Sequence, residues 1–124
     1  MRTDLLIKTF QAPTAIDGYL LVKPGAADGQ AAAGSASTDT LMGVTTQIGT
    51  QDNGSCDVIM AGPTEVRAGA AVSRGTWVTA DSSGRAVPVG SSAGCTAGFA
   101  LTSAAEADDI FSIFLAPGIN PATA

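Results

Sequence analysis

The chain contains no histidine. This removes the commonest general base at neutral pH, a frequent zinc ligand and the physiological pH switch. Basic residues are also scarce. Six Lys+Arg stand against 11 Asp+Glu, for a formal net charge of -5. Phosphate backbones are bound by basic stripes, so nucleic acid is not an expected partner. No apolar run approaches the length of a membrane span, which makes a membrane an unexpected partner too. Aromatic residues are 5% of the chain, and Leu, Ile, Val and Phe together supply only about a fifth. With 14% charged residues, however, the chain lacks the self-repulsion that keeps disordered segments open. What is abundant is small: Ala, Gly, Ser and Thr make up half of the 124 residues. One thin-cored domain is expected, marginal as an isolated monomer and helped by a partner.

Two cysteines, Cys56 and Cys95, fit no metal-ligand spacing and read either as small buried apolar residues or as a disulfide. The start, Met1-Arg2-Thr3-Asp4-Leu5-Leu6-Ile7-Lys8, carries a charge within an apolar run too short for a signal peptide.

Turn chemistry cuts the chain into short strands. The expected strands are 18–23, 41–48, 56–60, 76–80, 86–89, 96–101 and 110–115, where β-branched and aromatic residues concentrate. Lys23-Pro24-Gly25, Asp28-Gly29, Asn53-Gly54, Gly62-Pro63, Ser83-Gly84 and Pro117-Gly118 supply the turns between them. No window shows a sustained helical stripe. The class is all-β, a small β-barrel or β-sandwich.

A weak internal repeat runs at a spacing of 55 residues. Gly29 falls on Gly84, Ala31 on Ala86, Gly43 on Gly98, and Val58-Ile59-Met60-Ala61 on Ile113-Phe114-Leu115-Ala116. Few identities support it, so chance matching in an Ala/Gly-rich chain is the competing reading. Gly43 and Gly98, each inside an expected strand, mark bulges or close approach of another backbone. Residues 1–17 lie outside this repeat and read as an N-terminal arm; 18–118 form the domain, and 119–124 a tail.

Apparent catalytic motifs lack their partners. Gly90-Ser91-Ser92-Ala93-Gly94 matches the nucleophile elbow of serine hydrolases, but the chemistry needs a histidine to take the Ser92 proton. The only lysines, Lys8 and Lys23, sit in no Ser–Lys motif. Glu106, Asp108 and Asp109 cluster as calcium ligands do, but without the alternating Asp/Asn and Gly of a calcium loop; a solvated loop is the simpler reading. No catalytic residue, metal or cofactor is expected.

Leu5, Leu6, Ile7 and Phe10 form the densest apolar patch outside the repeat, flanked by Arg2 and Lys8. They suit an interface with a neighbour, by strand addition to its sheet; the alternative is the first strand of the chain's own barrel. The lone Trp77 reads equally as a core anchor or an interface residue.

The run from Gly69 to Ala86, containing Gly75-Thr76-Trp77-Val78-Thr79-Ala80-Asp81-Ser82-Ser83-Gly84-Arg85-Ala86, resembles the central signature of the capsid cement, or decoration, proteins of tailed bacteriophages. So does Gly98-Phe99-Ala100-Leu101-Thr102-Ser103-Ala104 leading through Asp108-Asp109 into Ile110. Leu41-Met42-Gly43-Val44 and Gly18-Tyr19-Leu20-Leu21-Val22-Lys23 echo the first half of that pattern. Thr76-Trp77 departs from it where a polar residue often follows the Gly, and Asp108 where Gly is usual. The resemblance implies a non-enzymatic structural protein on the outer surface of the virion capsid, made in the cytoplasm of the bacterial host. Its implied partners are the phage major capsid protein and itself, as a homotrimer or otherwise a homodimer. A second reading is a secreted or periplasmic β-sandwich binding module, adhesin-like or carbohydrate-binding. An exposed aromatic cluster would favour that reading.

Overall fold

The computed structural model describes residues 6–46, 48–89 and 94–120. Among these residues no helix forms, and the strands are β1 (Leu6–Ala12), β2 (Leu21–Pro24), β3 (Ala31–Ala33), β4 (Gly43–Thr45), β5 (Gly54–Arg67), β6 (Trp77–Ala80), β7 (Ala86–Pro88), β8 (Gly94–Ala100) and β9 (Ile110–Asn120). They join into one curled sheet in the order β3-β2-β4-β5-β9-β8-β6-β7, with β1 paired to β5. All strand pairs are antiparallel.

The 55-residue repeat is a repeat of structure. Val44 pairs with Ile59 and Thr45 with Val58; shifted by 55, Phe99 pairs with Phe114 and Ala100 with Ile113. Val22 faces Gly43 as Val78 faces Gly98, and Lys23 faces Ala32 as Thr79 faces Val87. Irregular features repeat as well. Gly29 and Gly84 have φ of 78° and 80°, and Asn53 and Asp108 have 59° and 71°. Asn and Asp are the side chains that best tolerate this left-handed region, so Asp108 keeps the turn despite replacing a glycine. The antiparallel bridge Ile16–Thr50 recurs as Val72–Ala104.

The expected N-terminal arm is corrected by the same symmetry. Residues 6–12 are a strand of the chain's own sheet, and Phe10–Cys56 and Thr9–Asp57 in the first half correspond to Val66–Phe111 and Glu65–Ser112 in the second. β1 is therefore the repeat partner of the C-terminal part of β5, inside the repeat rather than before it. Covering the open edge of β5 satisfies a row of backbone groups that a free arm would leave to solvent. Each half curls until its outer strands meet by one parallel bridge, Gln11–Gln30 in the first and Ala68–Ala86 in the second.

Two expected turns are also corrected. Gly62-Pro63 lies within β5 and Pro117-Gly118 within β9. Gly62 takes a φ of 89°, which turns the strand from one half to the other without ending it. Leu6–Ala61 and Gly62–Leu115 still pair on either side of this point, so a local kink replaces a break.

Core residues follow the repeat. Ala12, Ile16, Val22, Ala31, Cys56 and Val58 line the first half; their counterparts Ala68, Val72, Val78, Ala86, Phe111 and Ile113 line the second. Both cysteines are free, and Cys56 is buried. Burial, reinforced by the neighbouring Asp57 charge, raises the Cys56 thiol above its ordinary pKa.

Gly43 and Gly98 are equivalent positions of close approach. A Cβ on Gly43 would run into the Ile59 carbonyl oxygen, and one on Gly98 into the Phe114 carbonyl oxygen. Gly98→Ala and Gly43→Ala should each destabilise the domain by about 1–3 kcal/mol, because backbone, unlike a side-chain tip, cannot step aside. Urea unfolding checks this. Deletion of residues 1–12 should abolish the cooperative unfolding transition followed by circular dichroism, since it strips the whole β1 partner from β5.

Candidate functional site: two exposed apolar faces

Alternate residues of a strand point to opposite faces, so each half has an inner, core-lining face and an outer one. In the first half Leu21, Val44 and Ile59 occupy the outer face. All three are completely buried, in the same cluster as the core of the second half. The backbone tightens this joint: Leu21 N–H donates to the Gly84 carbonyl at 2.8 Å and Cys95 N–H to the Ser37 carbonyl at 2.7 Å. The second half thus closes over the outer face of the first.

The equivalent residues of the second half are Trp77, Phe99 and Phe114, and they are not closed over. Trp77 is 45% exposed, Phe114 37%, and Phe99 half-buried. The Trp77 and Phe99 rings meet edge to face at 5.4 Å, and Phe99 stacks on Phe114 at 5.7 Å. Cross-strand pairing builds this row, with Trp77 opposite Phe99 and Phe99 opposite Phe114. Trp77 is therefore an exposed residue and not a core anchor.

Of the apolar residues singled out near the N terminus, Leu5 lies outside the described residues. Leu6 and Ile7 are exposed on β1. Phe10 is half-buried against the first core, with the Lys8 ammonium 5.5 Å from its ring. Leu6, Ile7 and Phe10 thus belong to the first half and Trp77 to the second. Phe99 and Phe114 escaped the sequence reading, although the repeat already aligned Ile59 with Phe114. An aromatic side chain standing over a buried aliphatic one was the available signal.

Several charged groups are engaged within the chain. Asp109 accepts from the N–H groups of Ala105 and Glu106, at 3.0 and 3.2 Å. Asp108 pairs with Arg85 at 3.2 Å, and Arg85 also donates to Asp81 at 3.0 Å. Among the described residues no cluster of His, Cys, Asp or Glu suits a metal ion. Ser92 lies outside the described residues.

A model of the phage cement protein family matches residues 7–115. The chain belongs to the phage cement protein family. It is a structural protein associated with the phage capsid. Its fold is similar to that of the N base of the head fiber of bacteriophage phi29, with a TM-score of 0.67 at 19% identity, covering 90% of this chain and 93% of that one. None of the curated proteins matches.

One partly exposed electrostatic site gives a pH dependence. Burial acts to raise the Asp39 pKa, but the N–H of Ser35 at 2.7 Å, together with the Ser35 hydroxyl and the Lys23 ammonium at 3.3 Å, outweighs it and holds the carboxyl below its ordinary 3.8. A depressed folded-state pKa stabilises the fold above the unfolded value and loses that contribution as pH falls through the folded one. Asp39→Asn should therefore cost stability at neutral pH, and the gap from wild type should close below pH 3.8 in chemical denaturation series.

Proposed function

We propose that the chain is a head-stabilising cement that binds the outer surface of the bacteriophage capsid and bridges neighbouring major capsid protein subunits. It acts without catalysis, as a homotrimer or otherwise a homodimer in the virion, after synthesis in the host cytoplasm, with neither nucleic acid nor membrane as partner. Membership of the cement family carries this reading. The exposed apolar residues support it, because a small acidic protein has little reason to leave Leu6, Ile7, Trp77 and Phe114 in water unless a partner covers them. A net charge of -5 speaks against packaged DNA as the ligand.

The apolar start of the chain, Leu5-Leu6-Ile7, is assigned to the capsid. Leu6 and Ile7 begin β1, where both pair with β5, and their exposed side chains are on offer without the strand leaving its sheet. The exposed aromatic row is the feature on which a carbohydrate-binding module would depend. Here, however, aromatic residues are only 5% of the chain, and the family match favours the cement reading over a sugar-binding one.

The test is rebinding of purified protein to heads lacking it, read by electron microscopy and by the temperature at which heads release DNA. Wild type should occupy the outer surface and raise that temperature. Ile7→Ser combined with Leu6→Ser should lower occupancy about tenfold or more while circular dichroism stays unchanged. Failure of the wild type to bind the outer surface would overturn the reading.

A further inference from the structure

The joint between the two halves has two sides, and the repeat equivalent of each side is only partly buried. One side is the outer face of the first half, Leu21, Val44 and Ile59; its repeat equivalent is the exposed row Trp77, Phe99 and Phe114. The other side belongs to the second half, where Val66, Ala97 and Leu115 are completely buried in the cluster that takes up the first half's outer face. Their equivalents in the first half are Phe10, Met42 and Met60. These pack against the first core but are only partly buried.

We infer that the Trp77–Phe99–Phe114 row of one copy docks on the Phe10–Met42–Met60 patch of a second copy of this chain, repeating between molecules the joint that the two halves make within one. This rests on the capsid-cement reading only for its setting; the faces are assigned by the repeat. The chemistry of the two sides is complementary. Aromatic rings offer broad, rigid apolar area, and methionine adapts its unbranched side chain and polarisable sulfur to such rings. Thioether–aromatic contact thus replaces the aliphatic packing of Leu21, Val44 and Ile59 within the chain. Because the two docking faces are different surfaces, the contact is head-to-tail, and it closes into a ring only if the rotation between copies permits.

Trp77 is the only tryptophan, so its fluorescence reports this face directly. On dilution of the full-length wild type, emission should shift to the red in parallel with the fall in sedimentation coefficient. Trp77→Glu and Met60→Glu, each checked for native circular dichroism, should each weaken self-association about tenfold or more. The mixing experiment is decisive. One variant keeps an intact patch and the other an intact aromatic row, so together they should form a 1:1 heterodimer and nothing larger. If Met60→Glu fails to fold, Met42→Gln takes its place in the mixture.

A monomeric wild type with emission independent of concentration would overturn the inference. So would a Trp77→Glu protein that associates as well as wild type, or a mixture of folded variants that stays monomeric. Head binding is scored separately. Protein that binds heads as a monomer refutes this contact and leaves the cement reading standing; an oligomer that ignores heads does the reverse.

Discussion

β5 is shared. Its N-terminal part is flanked by β1 and β4, and its C-terminal part pairs with β9, so one continuous strand belongs to both repeats. Everything else in the domain follows from that sharing. A repeat this small, with a core of alanines and valines, buries too little area to stand alone. Running a single strand through both halves holds them in one relative position, and the second half can then cover Leu21, Val44 and Ile59. The left-handed Gly62 at the crossing is what lets the strand change partners without stopping.

Small residues are used where the packing demands them. Gly43 and Gly98 admit the carbonyls of the neighbouring strand, and Gly34 sits against Ala80 across the joint between halves. Alanine at Ala12, Ala31, Ala68 and Ala86 lets tightly curled strands approach one another near the parallel bridges that close each half. A composition that looks poor for a core is therefore suited to two tightly curled halves, with small residues at the close approaches and Ile16, Phe111 and Ile113 filling the interiors.

The outward faces record where the repeat stops being equal. Aliphatic residues occupy the buried face, and aromatics occupy the same positions on the exposed one. Asp81, Arg85 and Asp108 pair among themselves, and Asp109 caps a turn. The exposed apolar area that remains suits a structural protein associated with the phage capsid.

Scarcity of basic residues, turn dipeptides and period-two apolar pattern determined on their own an acidic all-β chain. The repeat was visible as well, through Gly43/Gly98 and the aligned apolar strands ending near Ala61 and Ala116. Local signals failed where pairing overrode them. Gly62-Pro63 and Pro117-Gly118 read as turns but lie within strands, because partners on both flanks hold the chain extended through a kink. Ala31–Ala33 carried no strand signal of its own beyond the alignment of Ala31 with Ala86, since alanine gains its place only from the neighbours that pair with it. Only the tertiary structure showed that β1 belongs to the repeat, and that equivalent faces are covered in one half and bare in the other. Burial is a relation between segments more than fifty residues apart, and no window along the chain contains both sides of it.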